Sequence, residues 1–318
     1  MTDLNTRHEI LFIYDITDAN PNGDPLDGNK PRIDEETRIN IVTDVRLKRT
    51  ARDYLHEYKG YDGLGEKDIF IREIAMESGN PEAGIQDGKT RAKDFKGKDD
   101  ILKKCIDVRL FGGVIPLEGK KSKKNKSDDD DSVESGEKSY TFTGPVQFKM
   151  GRSLHPVEML YIKGTGAFAS KPGNTQKTFR EEYILPYSCI AFHGIANEKA
   201  AIATGLTRAD LDLLMEALWM GTKNLISRSK FGQAPRFLLR VEYQESGFFL
   251  GDLDKLISLS GVENPLAIRS TADYRFDLSQ LITILDANRN RIKNVRYKND
   301  ALLKMSSSIP DWWQEFGF

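Results

Sequence analysis

Ile10-Leu11-Phe12-Ile13-Tyr14 is an uninterrupted apolar run near the start of the chain, and Asp18-Ala19-Asn20-Pro21-Asn22-Gly23-Asp24-Pro25 follows it closely. A run without polar alternation predicts a central β-strand covered on both faces. The second stretch is dense in residues that turn a chain and cannot extend a strand. A helix then begins at Thr43, a suitable N-cap, and continues to about Tyr58, where Lys59-Gly60 ends it. Its apolar stripe is Leu47, Ala51, Tyr54, Leu55 and Tyr58, and Arg46, Lys48, Arg49 and Arg52 make it cationic. A buried strand that passes through a rigid loop into a basic helix suits a surface that holds a polyanion.

Working outward, residues 60–117 mix Gly, Asn-Pro and scattered charge, as expected of an insertion with short elements. Within it, Asp99 to Phe111 predicts one helix closed by Gly112-Gly113. Residues 118–138 are almost pure charge, from Lys120, Lys121, Lys123, Lys124 and Lys126 to Asp128–Asp131, and predict a disordered surface loop. Strand text resumes from Ser139 with a bend at Gly144-Pro145. A polar excursion from Lys163 to Arg180 lies between the strands Met159–Ile162 and Tyr183–Gly194 and predicts a long hairpin over about residues 160–183. Thr207-Arg208-Ala209-Asp210 reads as a capping-box start to another helix, and Arg236–Tyr243 as a strand. Residues 246–318 read as helical decoration. The expected class is α+β, with a ferredoxin-like, RNA-recognition-type β-α-β-β-α-β core over 7–59 and 139–245. The aromatic signature by which that motif stacks RNA bases is absent.

The 318 residues carry a net charge of −1, so a nucleic-acid surface must come from local clustering. Cys105 and Cys189 stand alone, without the spacing of a disulfide framework or a thiolate zinc site. His8, His56, His155 and His193 are scattered, and no GxSxG, P-loop or HExxH sequence occurs. No metal and no cofactor is expected. No secretion signal or bilayer-length apolar run is seen, which predicts a cytoplasmic protein with no membrane partner. Asp15, Asp18, Asp24 and Asp34 crowd the first strand and its loop. They serve either turn chemistry or a metal-dependent general base.

Basic residues cluster in three segments. Between Gly221 and Arg240 the charged residues are Lys223, Arg228, Lys230, Arg236 and Arg240, with no acid. Arg152 and the hairpin supply Arg152, Lys163, Lys171, Lys177 and Arg180, and the first helix adds its four. With Phe168, Phe179 and Phe231 interleaved, they predict a groove that tracks a nucleic-acid backbone.

Four stretches carry a family resemblance: Asp18 to Pro25, Pro31-Arg32-Ile33-Asp34, Val42 to Arg49, and Thr143-Gly144-Pro145-Val146-Gln147-Phe148. They resemble the family numbered seven among CRISPR-associated proteins, the backbone subunit of type I surveillance complexes (Cascade), in wording closest to subtype I-B. The resemblance implies a palm of modified RNA-recognition type, a helical finger at 60–117 and a thumb hairpin with Phe168 as its wedge. It also implies copies assembled in a row along a guide RNA (crRNA), pairing with a target DNA strand. The further partners implied are the 5′-handle-capping subunit, the crRNA-processing endonuclease, and the large and small subunits. No catalytic residue is implied. Related type III subunits cut target RNA with a loop aspartate, so a metal-dependent, guide-directed ribonuclease using the first-loop carboxylates stays open as the alternative.

Overall fold

The computed structural model describes residues 4–76, 84–117, 139–169 and 177–318, with the backbone alone at 165–169 and 177–180. The predicted first strand is longer than its apolar run: β1 spans His8–Ala19. A small hairpin of β2 (Gly23–Asp24) and β3 (Lys30–Pro31) follows, then β4 (Ile39–Val42) and α1 (Asp44–Tyr58). The insertion holds α2 (Gly88–Ala92), α3 (Lys98–Lys104) and α4 (Ile106–Phe111). β5 (Gly112–Pro116) and β6 (Ser139–Thr143) pair antiparallel, with Pro116 opposite Ser139. The charged stretch, 118–138, lies outside the described residues. Next come β7 (Val146–Phe148), β8 (Gly151–Pro156), β9 (Leu160–Ala169) and β10 (Lys177–Ala196). α5 (Glu198–Thr204), α6 (Arg208–Lys223) and β11 (Gln233–Tyr243) lead into the tail. The tail adds β12 (Ser258–Ser260), β13 (Arg275–Asp277), α7 (Ser279–Ala287), β14 (Ile292–Asn299) and β15 (Gln314–Glu315).

The fold is α+β around one mixed sheet ordered β15-β14-β11-β1-β10-β8-β4, with β7 and β9 also paired to β10. Within that sheet only the β14–β15 pair is parallel. β1 lies between β10 and β11, and every residue from His8 to Ile16 is buried. The pleat sends Ile10, Phe12, Tyr14 and Ile16 into a core beneath α1 and α6, and Leu11 and Ile13 into a second core on the opposite face. That is why the run shows no polar alternation.

The second core corrects the reading of the tail. Leu253, Ile257, Tyr274, Phe276, Leu281, Leu285, Ile292, Val295 and Trp313 cover the back of the sheet, and β14 joins the sheet itself beside β11. The tail is a structural layer, not helical decoration. Its signal is weak in sequence because its elements are short and β14 buries only Ile292 and Val295.

The first helix follows its local chemistry. Thr43 Oγ1 accepts the Arg46 amide at 3.3 Å, and Leu47, Ala51, Tyr54 and Leu55 are buried, whereas Tyr58 is exposed at its end. α6 carries the predicted capping box, with Thr207 and Asp210 satisfying each other's backbone amides. Gly221 lets it close on α1, since a Cβ there would lie 3.0 Å from the Thr50 carbonyl oxygen. The helix expected over 99–111 is two helices. Cys105 is extended between them, bridging to Asp68, whose amide donates to the Lys104 carbonyl. The insertion packs a small core of Phe70, Phe95, Ile101, Cys105, Val108 and Ile115, completed by Phe142 of β6. The first eight residues of β10 pair only with β9, forming the stem of the long hairpin, whose residues 170–176 lie outside the described residues.

Candidate nucleic-acid interface

The loop after β1 is built from its own polar side chains. Asn22 Oδ1 accepts both the Thr43 amide at 2.8 Å and the Thr43 hydroxyl at 2.9 Å, fastening the loop to the first turn of α1. Asn20 Nδ2 donates to the Asn29 carbonyl at 2.7 Å, and Arg32 donates to the carbonyls of Asn22 and Gly23. Asp24 accepts the Leu26 amide and pairs with Arg32 at 3.4 Å. Asp34 accepts the amides of Glu36 and Thr37, and these hydrogen bonds, that to Thr37 foremost, hold its carboxyl below the usual range. Asp15 is buried, accepting from Tyr187 and Arg236 at 2.7 Å each, and burial pushes its carboxyl up. Asp18 is exposed at a positive φ of 48°. Each carboxylate serves a different local structure, and among the described residues no three His, Cys, Asp or Glu side chains gather to hold a metal.

Most of the basic residues singled out in the sequence have acidic partners within the fold. Lys48 pairs with Asp44 at 2.9 Å and reaches Gln147, and Arg49 pairs with Asp53 at 2.9 Å and Glu73 at 3.3 Å. Arg52 is buried against Asp107, itself fully buried and accepting the amides of Phe70 and Ile71. Arg236 bridges Asp15 and Asp300. Arg228 pairs with Glu182, while Lys163 is 3.8 Å from Glu181 and Arg152 is 3.6 Å from Asp34, both on open surface. Lys171 lies outside the described residues; Phe168, on β9, and Lys177 and Arg180, on β10, are placed by backbone only.

Arg46 and Lys230 differ from the rest. Both are half-buried, and neither has a carboxylate within ion-pair distance among the described residues. Arg46 donates to Thr50 Oγ1 at 3.0 Å, and its Nε is buried without a partner. Lys230 reaches the backbone carbonyl of Asn20. Its own segment is zipped to the end of β1, with Asn20 N donating to the Ser229 carbonyl at 2.9 Å and Thr17 N to the Gly232 carbonyl at 3.3 Å. Burial, and then the charge of Arg46, lower the Lys230 ammonium to about 8, and burial likewise lowers Arg46. Two partly desolvated cations, Arg46 with only Asp53 acting on it from beyond ion-pair distance and Lys230 with no carboxylate acting on it, make a place for an anion. Both stood among the residues singled out in sequence. Asn20, Asn22 and Thr43, which frame them, were legible only as turn and cap residues.

The rest of the surface limits how a nucleic acid can bind. β1 and the sheet half of β10 are covered on both faces, so bases cannot stack on these two strands. His193 bonds Glu9 at 2.7 Å, and His155 lies between the Pro156 carbonyl and the Cys189 amide; both are buried structural residues. No helix among the described residues is long and apolar enough to cross a membrane.

Comparison with known proteins gives the family of the chain. Residues 6–279 match the family described as CRISPR-associated protein Cas7. A protein of Haloferax volcanii with that same description is 34% identical over 319 aligned positions, covering 96% of this chain and 90% of its own length. Two solved chains titled as parts of a CRISPR RNA-guided surveillance complex, one of them pre-nicking, share the fold. Their TM-scores are 0.58 and 0.53 at 10% and 12% identity, over 98% of this chain and 96% and 95% of theirs. The chain belongs to the Cas7 family of CRISPR-associated proteins.

Proposed function

We propose that this chain is the backbone subunit of a Cascade-type, RNA-guided surveillance complex of subtype I-B, in which copies assemble in a row along crRNA and present it to a target DNA strand. The carrying observation is the uncompensated pair Arg46 and Lys230, which together receive a guide phosphate. The palm is a modified RNA-recognition fold. In support, β11-β1-β10-β8 follow the ferredoxin-like order and α1 and α6 share one face. The insertion with its own core serves as finger, and the β9–β10 hairpin as thumb, with Phe168 at the displaced base. A heterologous contact between copies gives an open row, not a closed ring. The other Cascade subunits cap, process and extend that row in the cytoplasm.

The subunit acts by binding and not by cutting. The loop carboxylates are engaged as turn acceptors and ion-pair partners, which speaks against the ribonuclease alternative. Co-expression with a guide, followed by extraction and sequencing of bound nucleic acid and electron microscopy, tests the reading. Helical rows holding guide-length RNA are expected, with complementary RNA left intact in magnesium. RNA-free monomers, or guide-dependent cleavage abolished by Asp24→Ala or Asp34→Ala, would overturn it.

A further inference from the structure

We propose that Phe231 is a stacking platform for one base of the single-stranded guide; this rests on the nucleic-acid reading above. Of the phenylalanines whose side chains are described, only Phe231 and Phe249 are exposed, at 68% and 39%. Phe249 lies under the Arg7 guanidinium, 5.3 Å from its ring centroid. Phe231 stands open, yet its backbone is fixed. Its amide donates to the Ser227 carbonyl at 2.7 Å, and the Lys230 amide donates to the same carbonyl at 3.1 Å. On either side of the ring the turn is fastened to the end of β1. Asn20 N donates to the Ser229 carbonyl at 2.9 Å, and Thr17 N to the Gly232 carbonyl at 3.3 Å. Gly232 follows the ring at a φ of +102°, where a Cβ would lie 2.8 Å from the Thr17 carbonyl oxygen, so the chain passes tight against β1. Arg228 donates to Glu182 of β10 at 3.0 Å and ties the turn to the hairpin stem as well. A ring carried on so fixed a backbone loses little freedom when a ligand stacks on it.

The surroundings select the occupant. Residues 221–240 hold five cations and no acid. Lys230, next to the ring, reaches the Asn20 carbonyl and has no carboxylate acting on it. On the elements that the turn touches, Glu182 is paired with Arg228, and Asp18 is exposed at the end of β1. A polyanion that also presents planar apolar faces matches one open ring on a cationic turn. β1 and the sheet half of β10 offer no face for stacking, because both are covered. The other exposed apolar side chain of the segment, Ile226, lines the separate cleft of Tyr54 and Tyr58 between α1 and α6. A protein partner would therefore meet a single ring among cations, without the apolar centre of a stable interface.

The test uses the full chain and two oligomers of equal length and charge, oligoadenylate and the same backbone carrying abasic spacers. The phosphate grip binds both, and the ring tells them apart. Wild-type protein should prefer the adenylate. Phe231→Ala should lose about five- to hundredfold in adenylate affinity, with its abasic affinity and salt slope at wild-type values. Phe231→Trp should restore adenylate binding, and its added indole fluorescence should be quenched by adenylate and not by the abasic oligomer. Unchanged adenylate affinity in Phe231→Ala overturns the proposal, and so does an unquenched indole at position 231. An equal loss on both oligomers would mark a structural role and overturn it too. Weaker self-association of RNA-free Phe231→Ala in sedimentation, with adenylate affinity unchanged, would assign the ring to a contact between copies. If the wild-type chain binds neither oligomer, the phosphate grip fails and the stack with it. If it binds both and Phe231→Ala changes nothing, the grip stands and the stack alone falls.

Discussion

Lys230 carries its half-buried ammonium within the field of Arg46, and no carboxylate of the described residues pairs with either. In a fold where most of the basic residues singled out in sequence are matched by an acid, an unmatched pair costs stability that a bound anion recovers.

That cost can be measured. The Lys230 ammonium is lowered to about 8 from an ordinary value of 10.5. Below pH 8 the folded state bears the penalty of a buried charge; between pH 8 and 10.5 the unfolded chain binds more protons, so stability rises with pH across that window. Lys230→Met should therefore stabilise the RNA-free chain at pH 7, by about 1–2 kcal/mol, with the gain fading toward pH 10. Urea unfolding at the two pH values is the check, and a destabilised variant at pH 7 would show that the bond to the Asn20 carbonyl outweighs the cost of the buried charge.

Arg52 should behave in the opposite way. Its guanidinium neutralises Asp107, which is fully buried and anchors the amides of Phe70 and Ile71. Arg52→Ala leaves that carboxylate unpaired and should cost about 3–5 kcal/mol of stability. Thermal melts of the RNA-free chain would show it, and an unchanged melting curve would free Arg52 for RNA.

How much of this was legible in sequence varied with the range of the cause. β1, α1 and α6 were readable because strand burial, the Thr43 cap and the Thr207–Asp210 box are written in adjacent residues. The tail was misread because its apolar residues are spaced over short elements that acquire meaning only against the back of the sheet. At the candidate site, residue type located a basic cluster but could not separate Arg46 from Arg52, six positions along the same helix. One carries a buried, unpartnered nitrogen and the other meets Asp107, a partner 55 residues away in sequence. Charge pairing over such separations is a property of the fold.

Gly144 in the Thr143-Gly144-Pro145 bend shows the same long-range logic. A Cβ there would lie 2.1 Å from the Phe111 carbonyl carbon, where the insertion returns to the sheet. Gly144→Ala should destabilise the chain by about 2–4 kcal/mol, because backbone and not a movable side chain stands in the way. Gly60→Ala, where a Cβ meets open space at a φ of +71°, should cost only about 1 kcal/mol. Equal losses from the two would refute the close approach.

Removing Lys120 to Glu137 should leave both melting and guide affinity at wild-type values, since β5 and β6 pair up to Pro116 and Ser139 and need only a short connection. Weakened RNA binding with unchanged melting would assign the lysines of that segment to the guide.

The most direct test of the central claim is the salt dependence of guide binding. If Arg46 and Lys230 grip the RNA backbone, the Arg46→Ala/Lys230→Met chain should bind all guide sequences more weakly. Its plot of log affinity against log salt should be shallower by about 0.7 for each phosphate that the variant no longer neutralises. Wild-type affinity with a wild-type slope would contradict the account.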